Sequence, residues 1–211
     1  MTRRVAIPML LVIAAAMWVW RTELFNVARP GDRPLPLVAR PLGHRPKVDV
    51  DVVLPEVPMG MQRVRAGDQV LLIHYWAPWE RDSRDQARAL DSLRREPALE
   101  GLRVIVACSD PFPSVARYVA RQRLRLSVLL DGPGELRRAL PCPSIPYTYV
   151  LDRSGAIAVA QSGEVDWWDP TTRATLRSLL EETKASASAR AAFSPGLSPD
   201  VSASTRARCS G

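Results

Sequence analysis

The side chains able to do thiol, nucleophilic or metal chemistry are few and widely spaced. Three cysteines, Cys108, Cys142 and Cys209, are separated by long intervals. An odd count with no C-x-x-C pair argues against a disulfide framework and against a thiolate metal site. The two histidines, His44 and His74, stand thirty residues apart and form no ligand cluster. No metal or other cofactor is implied. The informative run is Leu71-Leu72-Ile73-His74-Tyr75-Trp76-Ala77-Pro78-Trp79-Glu80-Arg81-Asp82-Ser83, where an apolar strand gives way to a helix with an acidic start. Unsatisfied backbone amides and the helix dipole favour negative charge there, so Glu80 and Asp82 read first as helix-capping acids. An acid–base role for Glu80 is the alternative. His74 would then be its proton-carrying or ligating partner, against the simpler reading of a partly buried histidine with one hydrogen bond. Cys142 reads as a small buried residue or as a lone thiol, and Cys108, ending an apolar strand, as core. A disulfide between Cys108 and Cys142 is conceivable in an oxidising compartment, but sequence alone does not place their Cα atoms.

Such residues need a scaffold, and the hydrophobic periodicity outlines one. Residues 69–76 form a nearly continuous apolar run, followed at 83–99 by Ala87, Leu90, Leu93 and Leu99 near helical spacing. A second buried strand is expected at 102–108, a helix at 114–124, a short strand at 127–130 and a small helix at 134–140. Two strands, 147–152 and 156–161, flank the turn Arg153-Ser154-Gly155. The last helix starts with Asp169 as N-cap and Pro170 in its first turn and runs to about Lys184. This alternation predicts an α/β fold, a mixed sheet covered by helices on both faces.

A buried strand running into Trp76-Ala77-Pro78-Trp79 and then a helix resembles the active-site edge of thioredoxin-like proteins, whose pattern there is W-A-x-W-C-x-x-C. Ser144-Ile145-Pro146-Tyr147 resembles the loop in which that family carries a cis-proline. Ser127-Val128-Leu129-Leu130-Asp131 with Gly134-Glu135, and Gly163-Glu164-Val165-Asp166-Trp167, are similar to the TlpA/ResA subgroup, which acts on protein thiols outside the cytoplasmic membrane. The resemblance covers residues 50–183 and implies a thioredoxin-like fold with Pro146 cis. It also implies that Ile145 offers backbone groups to an extended segment of a partner, with Trp79, Pro146 and Tyr147 beside it. The departure lies where the family keeps its two cysteines, at positions occupied here by Glu80 and Ser83. Exchange needs a thiolate and a resolving thiol, and neither a carboxylate nor a hydroxyl of very high pKa replaces them.

The flanks carry most of the charge. Residues 1–48 hold eight Lys/Arg and two Asp/Glu, and residues 185–211 three and one, whereas residues 49–184 hold eighteen and nineteen. Basicity confined to the flanks suits membrane topology and argues against nucleic-acid binding. Thr2-Arg3-Arg4 precedes sixteen uncharged residues ending at Trp20, an export or anchor pattern. As a helix this run would reach about 24 Å, somewhat short of the roughly 30 Å of a hydrocarbon core, with Arg4 and Arg21 snorkelling. An uncleaved anchor over residues 1–25 is favoured over cleavage after Ala16, because Trp18 and Trp20 suit an interfacial belt. Residues 26–48, rich in Pro and Arg, read as an extended spacer, residues 49–184 as the globular domain, and residues 185–211 as a disordered tail.

Together these features lead to the expectation of a single-pass protein of the cytoplasmic membrane. Its thioredoxin-like domain would face the periplasm or extracytoplasmic space and bind a protein partner without dithiol chemistry. An oxidoreductase working through Cys142, and a purely structural envelope domain, are the alternatives.

Overall fold

The computed structural model describes residues 33–192, with side chains described as far as Glu182. The expected membrane segment at residues 1–25 and Cys209 lie outside the described residues. Among those described, no helix is long and apolar enough to cross a membrane.

One sheet of seven strands organises the domain, in the order β2-β1-β5-β4-β3-β6-β7. These are β1 (Asp51–Val57), β2 (Met61–Arg65), β3 (Val70–Tyr75), β4 (Leu102–Cys108), β5 (Ser127–Leu130), β6 (Tyr147–Leu151) and β7 (Ile157–Ser162). Strands β3, β4 and β5 run parallel, while β6 pairs antiparallel with β3, β7 with β6, β1 with β5 and β2 with β1. Every residue of β3 is buried, as expected of a central strand covered on both faces, and that is why its sequence is an unbroken apolar run around His74. The first two strands, a hairpin turning through Pro58-Met59-Gly60, add to the five strands read from the sequence.

Four helices follow: α1 (Arg81–Leu93), α2 (Phe112–Gln122), α3 (Glu135–Ala139) and α4 (Pro170–Ala192). The helix expected to reach residue 99 stops at Leu93, and Pro97–Leu99 forms a separate 3-10 turn, since Pro97 has no N–H to continue the ladder. At the end of α2, Arg123 adopts a left-handed conformation (φ 53°) that terminates the helix. Asp169 caps α4 as expected, its Oδ1 accepting from the Thr171 amide at 2.7 Å. The helix continues past Lys184, the end expected of it, to Ala192.

The pleat divides the core. On one face Leu72, Trp76, Val104, Val106 and Val150 pack against Leu90 and Leu93 of α1, Val115 and Tyr118 of α2, and Leu176 and Leu179 of α4. On the other, Leu71, Ile73, Tyr75, Ile105 and Ala107 meet Leu136 of α3 together with Leu54 and Val64 of the hairpin. Helices thus cover both faces, as the alternation of elements predicted.

The spacer differs from its expectation. Leu37 is fully buried. Its amide donates to Thr172 Oγ1 and its carbonyl accepts from Thr175 Oγ1, both at 2.9 Å. Backbone hydrogen bonds from Arg40 to the Ala158 carbonyl and from Ile157 to that of Pro46, both 2.8 Å, pin the two ends of residues 40–46 to the start of β7, on either side of a 3-10 turn at Leu42–His44. Arg45, with only 4% of its side chain exposed, bridges Glu182 at 2.8 Å and Asp152 at 3.2 Å. Residues 35–47 thus run extended apart from that turn, but they strap the edge of the sheet and belong to the folded unit.

Candidate functional site

The register between β3 and β6 places the two sequence-predicted segments side by side. Tyr75 is opposite Tyr147, so the run leaving β3 at Trp76 and the run entering β6 at Pro146 emerge at the same edge. The Ile145–Pro146 peptide is cis, as the resemblance implied. Pro146 is buried and its carbonyl accepts from Gly163 at 2.9 Å, while Ser144 and Ser162 share a hydrogen bond of 2.6 Å. Ile145 and Tyr147 are half-buried. No hydrogen bond to another described residue engages the amide or carbonyl of Ile145.

Across from this loop, Trp76 continues the ladder by donating its amide to Ala107 at 2.9 Å, and its ring is core, 5.0 Å from that of Tyr118. Trp79 points outward with 67% of its surface exposed, and its indole donates to Asp110 Oδ1 at 3.2 Å. Phe112, at the start of α2, is 49% exposed beside that acid. Sequence reasoning passed over Asp110 and Phe112. Both follow the end of β4, and only the neighbouring placement of β3 and β4 in the sheet brings them to Trp79.

The two residues that the resemblance sets at the exchange positions both lie at the start of α1. Glu80 is the N-cap of α1, accepting from Asp82 N at 3.1 Å and from Ser83 N at 2.5 Å. Ser83 is fully buried and its hydroxyl has no partner among the described residues. The pairing of His74 with Glu80 is not formed. His74 is fully buried, shares a 3.0 Å hydrogen bond with Thr148 through Nδ1, and packs edge-on against Trp167 at 6.0 Å, its Nε2 unpartnered among the described residues. Burial pushes this imidazole down to about 3, which disfavours the doubly protonated imidazolium near neutral pH.

Both described cysteines are free thiols. Cys108 is buried and burial pushes it up to about 12, despite the Asp110 amide 3.4 Å from its sulfur. Cys142 is half-buried and donates to the Ser144 carbonyl at 3.0 Å, and burial raises its pKa against the opposing charge of Arg137. A raised pKa lowers the thiolate fraction on which exchange depends. Among the described residues, no group of three or more His, Cys, Asp or Glu is placed to hold a metal ion.

No protein-family model and no curated protein matches the chain. Solved structures do. A protein assigned as thiol:disulfide interchange protein DsbE from Chlorobium tepidum superposes with TM-score 0.54 at 18% identity, over 66% of this chain and 96% of that one. StoA from Bacillus subtilis gives 0.52 at 17%, over 64% and 98%. A thiol:disulfide interchange protein of the thioredoxin family from Chlorobium tepidum TLS gives 0.52 at 17%, over 66% and 97%. Identities this low speak to architecture, and with the register and the cis-proline loop they establish that this chain has a thioredoxin-like fold.

Proposed function

We propose that this chain is a redox-inactive thioredoxin-like protein, held at the extracytoplasmic face of the cytoplasmic membrane by its N-terminal segment, that binds a protein partner across the Trp79–Ile145–Pro146–Tyr147 edge. One observation carries the reading. Glu80 and Ser83 are absorbed into the helix start, while the same edge leaves Trp79 exposed and the Ile145 backbone without a partner in the described chain. Free backbone groups just before a strand begins favour β-type pairing with another chain, and an exposed indole supplies apolar area with one polar handle. The proteins with this architecture carry names that refer to thiol–disulfide exchange, and the reading retains their surface without that chemistry. Membrane attachment rests on the basic and apolar pattern of residues 2–21.

The test uses the full chain in its own membrane. A photoreactive phenylalanine analogue at Trp79 is expected to give one discrete protein adduct, and the same analogue at Arg153, in the β6–β7 turn, none. No adduct at position 79, or equal labelling at both, would sink the proposal.

A further inference from the structure

The cleft between α1 and α2 has a composition that the fold does not explain. Arg81, Arg84 and Arg88 lie on one face of α1, and with Asp85 they meet Tyr118, Arg121 and Gln122 of α2 around a recess of about 270 Å³. Asp85 is the one acid lining it, and its carboxylate is taken by Arg88 at 3.4 Å. The guanidinium groups of Arg81, Arg84 and Arg121 make no ion pair with a described residue. Elsewhere in the domain Arg45, Arg63, Arg94, Arg95 and Arg173 are each paired with an acid; Arg65, Arg117, Arg123 and Arg153 make no ion pair with a described residue either, but none of them lines this recess. Residues 49–184 hold nineteen acids against eighteen bases, so this clustering is local and not a consequence of overall charge. Arg84 and Arg88 are four residues apart on one helix, a spacing at which like charges disfavour the helix. A concave wall of four guanidinium groups and one carboxylate, backed by the buried Tyr118, gives the recess a net positive potential.

We infer that this cleft is a docking site for an acidic segment of a protein partner, reading carboxylates through Arg81, Arg84 and Arg121. The inference rests on the proposed partner-binding edge and deepens it. Three features favour an acidic peptide. The planar, forked guanidinium suits bidentate pairing with carboxylates. The recess lies between two helices, where a chain enters more readily than a flat bilayer. It also lies on the two helices that start at the same end of the sheet as the edge. Helices α1 and α2 both start where parallel strands end, with Trp79 just before one start and Phe112 at the other, and the Tyr118 hydroxyl donates to the Arg84 carbonyl at 3.3 Å across the recess.

The probe is a fluorescent hexaglutamate peptide titrated into the full chain and followed by anisotropy. We expect saturable binding that weakens with added salt and drops by about tenfold or more in Arg84→Glu/Arg121→Glu, as befits loss of charge-assisted pairs. The control Arg65→Glu/Arg153→Glu removes the same charge from exposed residues elsewhere and is expected to leave affinity within about twofold, since distant exposed charges are screened. Arg84→Gln/Arg121→Gln, milder for folding, is expected to weaken binding in the same direction. Equal losses in the two Glu doubles would assign the binding to general charge and overturn the inference. So would displacement by inorganic phosphate at matching concentration, or a preference for phosphatidylglycerol vesicles over hexaglutamate with the same arginine dependence. Photo-crosslinking at Trp79 reports on the edge separately. An intact adduct with no hexaglutamate binding refutes the cleft alone, and hexaglutamate binding with no adduct refutes the edge.

Discussion

On the helix side of the candidate edge, Glu80 uses both carboxylate oxygens on the amides of Asp82 and Ser83, the Ser83 hydroxyl is sealed inside, and His74 is tied to Thr148 beneath them. On the loop side, Ile145 keeps its backbone groups unengaged by the described chain, and across from it Trp79 is exposed at the same end of the sheet. The two sides meet across one register pair, Tyr75 and Tyr147, yet Glu80 and Ser83 are held by the helix start while Ile145 and Trp79 are not. On the proposed reading, a reaction and a binding surface are separable within a single site. The chemistry depends on two side chains at a helix start, whereas the surface depends on strand order and the approach of one loop. Substitutions on the first side should alter chemistry or stability, and those on the second should alter binding and little else.

The sharpest way to break this contrast is to return sulfur to the helix side. The unaltered full chain is expected to show no disulfide-reductase turnover with a dithiol donor, because neither exchange position bears a thiol. Glu80→Cys/Ser83→Cys should gain turnover, with a thiol pair installed at the α1 start beside the cis-proline loop. Cys142→Ser in the unaltered background should change nothing, given that its thiol is half-buried and burial raises its pKa. Turnover in the unaltered chain above that of free thiol, abolished by this one substitution, would make the protein an enzyme and overturn the reading.

The same contrast holds among the arginines. Arg45 is consumed by the fold, sealed against Asp152 and Glu182, whereas Arg81, Arg84 and Arg121 are left to solvent or a ligand. Arg45→Met should remove the cation shared by two carboxylates at the junction of strap, sheet and α4. Losing one partner of a fully buried pair costs about 3–5 kcal/mol, and the partial exposure of Glu182 reduces this to roughly 2–3. Burial by itself raises the pKa of Asp152, but hydrogen bonds from Ser154, Ala156 and Arg45 outweigh it and hold the carboxyl below its ordinary value. Its contribution to stability is thus present above that ordinary value and lost as the pH falls through the lowered one. Urea unfolding at neutral pH checks the loss. A midpoint unchanged in Arg45→Met would mean that the strap is not part of the cooperative unit. Trp79→Ala, on the exposed side, should stay within about 0.5 kcal/mol in the same assay.

How much of this was legible in the sequence follows from where the signal was local. The unbroken apolar runs gave β4 and β5 to the residue, and Arg153-Ser154-Gly155 marked the hairpin because Gly155 takes the positive φ (79°) that the turn requires. The cis-proline loop was readable because the motif order carries it. The strap was not, since Leu37 is an isolated apolar residue among prolines and its burial depends on α4, more than a hundred residues away. The β1–β2 hairpin was hidden by Pro55 and by short strands with few buried positions. The arginine cleft was equally invisible. Arg121 joins Arg81 and Arg84 only through the packing of α2 against α1, and a charged helix face by itself reads as solvated surface.

A change of slope, not of overall stability, tests whether the interior around His74 is as closed as its side chains suggest. Burial lowers His74 from 6.5 to about 3. As pH falls below 6.5 the unfolded chain takes up this proton and the folded chain does not until about 3. In that window the unfolded state binds more protons, so stability is full above it and declines as the pH drops, by up to about 1.4 kcal/mol per unit for a single group. The upper part of the window lies above the ordinary titration range of carboxylates, which isolates the imidazole. His74→Leu leaves the Thr148 hydroxyl without its partner and should lower the whole stability curve, but its slope between pH 6.5 and 5 should be flatter than that of the unaltered chain by about one proton's worth. Slope, not height, is the readout. Parallel curves would mean that the folded protein protonates His74 as readily as the unfolded chain does. Water would then reach the space beneath Glu80 and Ser83, and the helix side would not be the sealed half of the comparison.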